Sequence, residues 1–102
     1  MDAAHKDKDF IEFVVKNIVD YPDQVFIERT IDDLGVLITL KVAKDDMGKI
    51  IGKGGQTAKA MRVLLRLIGS KNGERVNLKI LEPETGDEVT LPGSGIDDEL
   101  EI

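Results

Sequence analysis

The feature that most restricts the fold of this chain is a cluster of glycines between two helical patterns. Gly52, Gly54 and Gly55 fall within four consecutive positions and flank Lys53. Each glycine inside a helix costs about 0.8–1 kcal/mol relative to alanine, so one continuous helix through this point is disfavoured. The cluster therefore predicts a tight turn between two helices, with a bare backbone and one positive charge at its tip.

A Gly-x-x-Gly turn ahead of a helix can bind anions. Without Cβ atoms a phosphodiester backbone can approach closely, and the N–H groups that begin the next helix point outward. The turn is not a Walker A loop, because only three residues separate Gly48 from Gly52. It is not a dinucleotide-binding fingerprint either, since no further glycine follows Gln56 directly. Nucleoside triphosphate chemistry is therefore not expected.

Around the glycines, apolar periodicity predicts one α+β domain with the order α-β-β-α-α-β. Asp7 or Asp9 is the expected cap of the first helix, Pro22 stops that helix, and Gly35 closes a hairpin. The predicted helices span 9–20, 45–50 and 56–69, and the predicted strands span 24–31, 36–42 and 75–82. The side chains expected to face the core are Phe10, Ile11, Val14, Ile18, Val19, Val25, Ile27, Ile31, Val36, Ile38, Leu40, Val42, Ala58, Met61, Leu64, Leu65, Ile68, Val76, Leu78 and Ile80.

Composition limits the chemistry open to the chain. Its 102 residues suffice for one domain, and the 41% that are hydrophobic can form an aliphatic core. The chain has no cysteine and one histidine, His5, so disulfides and thiolate metal sites are excluded and no cofactor is expected. No apolar run is long enough to span a membrane, and the N-terminus lacks the plan of a signal peptide. We therefore expect a soluble cytoplasmic protein.

Charge is distributed unevenly along the chain. Residues 83–102 carry seven acidic side chains and no Lys or Arg, whereas residues 41–79 carry ten basic and three acidic ones. This asymmetry predicts a surface that faces a polyanion, with an acidic appendage. The expected divisions are a flexible N-terminus at 1–8, a folded domain at 9–82 and a mostly disordered acidic tail at 83–102, in which "EVTL" (88–91) is a candidate strand.

The helix after the glycines carries both a basic stripe and surplus apolar surface. At about 100° per residue, the side chains of Lys59, Arg62 and Arg66 lie in one narrow strip of the helix surface. By itself, such a strip is also typical of a helix face that is simply exposed to solvent. Joined to the glycine turn, the strip favours binding of a chain of phosphates. Val63 and Leu67 widen the apolar arc to roughly 200°, where about 100° suffices. Burial against the first helix and an interface between two subunits both remain open.

These residues resemble the K homology (KH) family. The stretch "IIGKGG" between a short helix and a basic helix matches its I-G-x-x-G hallmark, and the element order matches the type II, bacterial arrangement. The stretches "DYPDQV" and "VAKDDMGKIIGKGGQTAKAMR" are similar to the small single-domain KhpA-like (YlqC-like) proteins of bacteria. The resemblance covers residues 9–82 and implies a three-stranded mixed sheet packed against three helices.

The resemblance implies a non-catalytic protein that binds single-stranded RNA, about four nucleotides per domain. It also implies a homodimer or a heteromer with a KhpB (Jag/EloR)-type KH protein, and a role as post-transcriptional regulator or RNA chaperone in cell division and cell shape. Gly54 stands where a larger polar residue is common, and the acidic tail exceeds the family pattern. The resemblance implies RNA contacts at Ile50, Ile51, Gly52, Lys53, Gly54 and Gly55, with Val76 to Ile80 as the opposite groove wall, where Asn77 and Lys79 could touch base edges. The expected RNA-binding residues also include Gln56 and the basic strip of Lys59, Arg62 and Arg66. Val63 and Leu67 are expected at a subunit interface because of the wide apolar arc, independently of the resemblance.

The two alternative functions are a protein-recruiting adaptor and an enzyme. An adaptor that recruits a protein partner would use the surplus apolar surface and the acidic tail, but it would not need an anion-binding turn. An enzyme is not expected, because the sequence offers no nucleophile–base pair or metal-ligand cluster. Asp45 and Asp46 are interpreted as first-turn charges of a helix. For the tail, competition with RNA and simple solvation both remain open.

Overall fold

The computed structural model describes residues 6–89. Its helices are α1 (Lys6–Ile18), α2 (Met47–Ile51) and α3 (Gln56–Lys71), and its strands are β1 (Phe26–Asp32), β2 (Gly35–Lys41) and β3 (Val76–Ile80). Short 3₁₀ turns occupy Pro22–Gln24, Lys44–Asp46 and Lys53–Gly55. The predicted α+β class and element order are confirmed. Most of the predicted N-terminal extension and of the acidic tail lies outside the described residues.

The sheet is three-stranded and mixed, with β2 in the centre. β2 runs antiparallel to β1, where Ile38 lies opposite Arg29, and parallel to β3, where Ile38 lies opposite Leu78. A parallel neighbour needs a long crossover, and the segment containing α2, the glycine turn and α3 supplies it. The topology therefore places the glycine turn within the connection that joins β2 to β3.

The core lies between the sheet and the helices. The β2 side chains that alternate towards the helices are all buried, as predicted, and α1 adds Val15, which the sequence interpretation did not include. Full burial of one such aliphatic side chain is worth about 1.5–3 kcal/mol. The buried cluster comprises Ile11, Val15, Val19, Val36, Ile38, Leu40, Val42, Ile50, Ala58, Met61, Leu65, Val76, Leu78 and Ile80.

Two side chains assigned to the core are exposed instead. Ile31 is 67% exposed near the end of the edge strand β1, and Leu64 is 44% exposed on α3. Periodicity fixes the face on which a side chain lies, but it does not fix how far the opposing layer extends over that face. Both assignments were wrong for this reason.

Neither Asp7 nor Asp9 caps α1, because both lie inside the helix. Asp7 is 3% exposed, and its carboxylate accepts hydrogen bonds from Nε and Nη2 of Arg29 at 3.0 and 3.3 Å. Nη2 of Arg29 also lies 3.6 Å from Oε1 of Glu74, in the loop before β3. A partly buried ion cluster therefore joins α1, β1 and that loop.

The chain beyond Pro83 does not begin as the irregular tail that we expected. A turn at 83–85 sends it back along the end of β3, where Leu81 and Glu88 form an antiparallel bridge. The N–H of Val89 donates to the carbonyl of Ile80 at 2.8 Å, and the Val89 side chain packs against the core. Glu88 and Val89 begin the candidate strand "EVTL", whose last two residues lie outside the described part.

Candidate nucleic-acid interface

A buried carboxylate fixes the position of α2. Asp46 has no exposed surface and accepts hydrogen bonds from the backbone N–H groups of Asp20 and Tyr21, each at 3.0 Å. These donors follow the end of α1, so one side chain ties that end to the start of α2. Both acids lie in the first turn, as expected, but Asp46 is buried and hydrogen-bonded whereas Asp45 is exposed.

Gly52 ends α2 in a conformation that is almost restricted to glycine. Its N–H donates to the carbonyl of Gly48 at 2.9 Å, and its φ and ψ are 75° and 174°. A Cβ added here would lie 2.2 Å from Oγ1 and 2.8 Å from the backbone nitrogen of Thr57. The start of α3 thus packs directly against the Gly52 backbone, which explains the first glycine of the motif.

The tip of the turn is open to solvent. Lys53 and Gly54 are exposed, Gly54 has a φ of 63°, and nothing lies within 4 Å of the position that its Cβ would occupy. Gly55 has a φ of 80° and leads into α3. A phosphate can therefore approach the Gly54 backbone without meeting a side chain.

Two N–H groups of the turn are already engaged. Gly55 donates to the carbonyl of Gly52 at 3.2 Å, and Gln56 donates to the carbonyl of Lys53. The expectation that the N–H groups beginning the second helix all point outward is thus wrong for Gln56. These two hydrogen bonds hold the turn in shape, and its exposed tip carries the Lys53 ammonium.

The two isoleucines before the turn have different environments. Ile50 is completely buried in the core, so its placement on the wall of a ligand groove was wrong. Ile51 is half-buried and packs against the core with part of its surface exposed. Ile51 is therefore the one of the pair that can contact a base beside the turn.

Lys49 lies just before the turn, but acidic neighbours compensate its charge. Its Nζ donates to Asp20 and lies 3.7 Å from Oδ1 of Asp46. The hydrogen bond to Asp20, followed by the nearby charges of Asp20 and Asp46, raises the pKa of Lys49 above its usual value. Lys49 therefore remains protonated at neutral pH and serves the α1–α2 junction. Lys53, in contrast, is exposed at the tip.

A groove of about 310 Å³ runs between α3 and the outer edge of β3. It brings together three of the predicted basic residues, Arg62, Arg66 and Lys79. The complete lining is Leu37, Arg62, Arg66, Val76, Asn77, Leu78, Lys79 and Glu88. A second hollow of about 630 Å³ shares Arg66, Val76 and Asn77 with it and continues past Arg75. We call these two connected hollows the β3-edge groove.

The remaining predicted residues lie at the other end of α3. The glycine turn and Lys59 do not line the β3-edge groove, and Arg62 follows Gly55 by seven positions, about 10 Å along the helix. Arg75 lines the groove although it was not predicted to contribute. The sequence feature that could have indicated this role is the position of Arg75 in the basic segment directly before β3.

Within residues 6–89 there is no group of three or more His, Cys, Asp or Glu side chains placed to hold a metal ion. Among the helices described here, none has both the length and the apolar character needed to cross a membrane.

Known proteins resemble this chain over about three quarters of its length. A family model for the KH domain of KhpA/KhpB matches residues 8–80. The RNA-binding protein KhpA of Chlamydia caviae is 45% identical over 75 residues, which cover 74% of this chain and 96% of that protein. The proteins of the same name from Listeria monocytogenes and Clostridium acetobutylicum are 41% and 38% identical, over 74% and 72% of this chain and 99% of each relative. No solved structure matches the chain significantly. Since the matched segment runs from α1 to β3 and includes the whole turn, the chain belongs to the KhpA/KhpB KH-domain family.

Proposed function

We propose that this protein binds single-stranded RNA, with the Gly52–Gly55 turn clamping the phosphate backbone and about four nucleotides in contact with each domain. The observation that carries the proposal is the open tip of the turn, where exposed Lys53 adjoins a Gly54 backbone with no neighbour within 4 Å of its Cβ position. The names of the KhpA relatives support it. Like its family, the protein is not an enzyme.

In this proposal the bound RNA runs from the glycine turn along α3 towards the β3-edge groove. Lys59, Arg62 and Arg66 provide positive charge along this path, and Lys79 provides it on the β3 side. The exposed Asn77 side chain can form hydrogen bonds with base edges. No residue that lines the groove is aromatic, so base stacking contributes little and sequence preference is slight.

The test of the clamp is a pair of double variants with equal side-chain size. In Lys53→Asp/Gly54→Asp, negative charge replaces the Lys53 ammonium at the phosphate site, so affinity for a short single-stranded RNA should fall about 10- to 100-fold at low salt. In Lys53→Asn/Gly54→Asn, the side chains are matched in size but neutral, and we expect a loss of about fivefold or less. Both Asp and Asn tolerate a positive φ, so both variants should keep their circular dichroism spectrum. Fluorescence anisotropy of labelled RNA measures the affinities.

Equal binding by wild type and both variants would place the RNA contact away from the turn. If none of the three binds RNA, the adaptor interpretation replaces the proposal. Salt dependence adds an independent readout. In a plot of log affinity against log salt concentration, each phosphate that the protein neutralises on a single strand contributes about −0.7 to the slope. A slope near zero for wild type would also contradict a phosphate clamp.

We further propose that the protein forms a homodimer, or a heteromer with a KhpB-type KH protein, through the exposed side of α3, and acts in this form as an RNA regulator. Leu67 is 62% exposed, and Val63 and Leu64 lie one turn before it on the same face. We name Val63, Leu64 and Leu67 the α3 apolar patch. Pairing two domains would raise RNA affinity, because once one domain has bound an RNA molecule, the second domain binds the same molecule in an intramolecular step.

Introducing a charge into this patch should separate the subunits. We expect Leu67→Glu to sediment as a folded monomer at micromolar concentration, because dimerisation would bury the new carboxylate. Leu34→Glu is the matched control, since Leu34 is 74% exposed in the β1–β2 turn, remote in sequence from α3, and should leave the dimer intact. A wild-type protein that sediments as a monomer would contradict the homodimer, and the KhpB-type heteromer would then be tested by mixing the two proteins.

A further inference from the structure

The outer edge of β3 offers backbone hydrogen-bonding groups in a fixed pattern. The N–H of Val36 donates to the carbonyl of Arg75 at 2.7 Å, and the N–H of Leu81 donates to the carbonyl of Leu40 at 2.9 Å. Odd-numbered residues of β3 therefore face β2. Since the backbone groups of a strand alternate in direction, the N–H and C=O groups of Val76, Leu78 and Ile80 point away from the sheet.

The chain itself begins to pair with this edge. The N–H of Glu82 donates to the carbonyl of Asp87 at 2.7 Å, and the N–H of Val89 donates to that of Ile80 at 2.8 Å. These bonds enclose the antiparallel bridge between Leu81 and Glu88. At Val89 the chain thus runs antiparallel to β3, in the direction of Leu78 and the β3-edge groove.

We propose that residues 88–92 form a fourth strand, antiparallel to β3, which leads the acidic C-terminal segment along the β3-edge groove in competition with RNA. The register that continues the observed pairing places Leu91 opposite Leu78 and Gly93 opposite Val76. The strand addition is independent of RNA, whereas the competition rests on the proposed function.

The sequence of the segment agrees with this register. Val89 packs against the core, and Leu91, two positions later, falls on the same face of a strand. Pro92 has no N–H, but in this register its nitrogen faces away from β3, where an edge strand tolerates proline. The alternation of apolar residues and the position of Pro92 are thus both compatible with the register that places Leu91 opposite Leu78. A shift of the register by one residue would turn the nitrogen of Pro92 towards β3.

Charge complementarity favours the acidic tail as the occupant of the groove. The basic residues that line the groove are Arg62, Arg66, Arg75 and Lys79, and the acidic ones are Glu74 and Glu88. The chain continues through Gly93, Ser94 and Gly95, a flexible composition, to Asp97, Asp98, Glu99 and Glu101. A short tether of this kind corresponds to a millimolar local concentration of carboxylates. An exposed Glu84–Lys44 ion pair of 3.2 Å already links the start of this segment to the basic block.

Hydrogen exchange of single amides in the full chain tests the strand. In Leu91→Pro the N–H that faces Leu78 is lost, so exchange of the Leu78 amide should accelerate about tenfold or more relative to wild type. In Thr90→Pro the lost N–H faces solvent, and exchange at Leu78 should stay within about threefold of the wild-type rate. Equal exchange at Leu78 in wild type and Leu91→Pro would overturn the fourth strand, as would equal acceleration by both prolines.

The competition has a separate test. We expect Asp97→Asn/Asp98→Asn/Glu99→Gln/Glu101→Gln to bind a short single-stranded RNA about three- to tenfold more tightly than wild type at low salt, with the difference vanishing as salt screens the tail. Equal affinity of both proteins would overturn the competition and leave the proposed function intact. No RNA binding by either would overturn both, while the exchange experiment alone decides the fourth strand.

Discussion

Replacing Asp46 by alanine should lower the free energy of unfolding by about 2–4 kcal/mol. The carboxylate is fully buried and accepts the N–H groups of Asp20 and Tyr21, so its removal leaves both donors without their partner and opens a small void. In a domain of this size, such a loss lowers the melting temperature by roughly 10–25 °C. Urea unfolding followed by circular dichroism measures the change.

Asp45 is the matched control for this experiment. It is the adjacent residue, has the same side chain and is exposed, so Asp45→Ala should change stability by no more than about 0.5 kcal/mol. Equal effects of the two alanines would mean that Asp46 does not join α1 to α2. Asp46→Asn keeps one acceptor oxygen and should fall between wild type and Asp46→Ala.

A methyl group at Gly52 should damage the turn far more than one at Gly54. Gly52→Ala would force a Cβ to 2.2 Å from Oγ1 of Thr57 in a backbone region nearly restricted to glycine. We expect a loss of about 3 kcal/mol or more, from the strained backbone together with displacement of the first turn of α3. RNA affinity should fall too, even at temperatures where the variant remains folded, because the spacing between α2 and the tip changes.

Gly54→Ala separates steric conflict from backbone strain. Gly54 also has a positive φ, but nothing lies within 4 Å of its Cβ position, so the cost should be about 1–2 kcal/mol. Thermal unfolding of the two variants measures the difference. Equal destabilisation would show that the contact with Thr57 does not constrain Gly52. Thr57→Ala added to Gly52→Ala should restore only part of the loss, because the Thr57 backbone nitrogen remains 2.8 Å away.

The features that could be predicted from the sequence are those that a short stretch encodes by itself. The alternation of Val36, Ile38, Leu40 and Val42 identified the central strand, since a strand with one buried face repeats every two residues. The glycine turn was equally evident, because its conformation depends on residues within a few positions. Element order and fold class followed from such local signals.

The sequence does not reveal the partners of polar residues when those partners are distant in the chain. Asp46 meets Asp20 and Tyr21 across more than twenty positions, and Asp7 meets Arg29 across 22. An acidic residue near the start of a helix can cap the helix, form an ion pair or face solvent, and the local sequence is the same in all three cases. Only assembly of α1 against α2 and β1 distinguishes these roles.

Other errors concern how far neighbouring elements cover a surface. Ile50 and Ile51 are both suited to the core, and the short α2 turns only one of them fully inward. Within the described residues, pairing after Pro83 consists of the Leu81–Glu88 bridge and its flanking hydrogen bonds, which is too short for a strong periodic signal, so the sequence indicated it only as the candidate strand "EVTL". Coverage depends on the lengths of packed elements, which sequence periodicity does not report.

Arg29 gives the sheet protection against self-association. It lies on the edge strand β1, yet its side chain points inward to Asp7 and is only 11% exposed. A foreign strand that added to this edge and extended the inner face would place apolar side chains beside a guanidinium and its carboxylate partner. Inward-pointing charges on edge strands disfavour such additions. Arg29 therefore disfavours the addition of a foreign strand on the β1 side of the sheet.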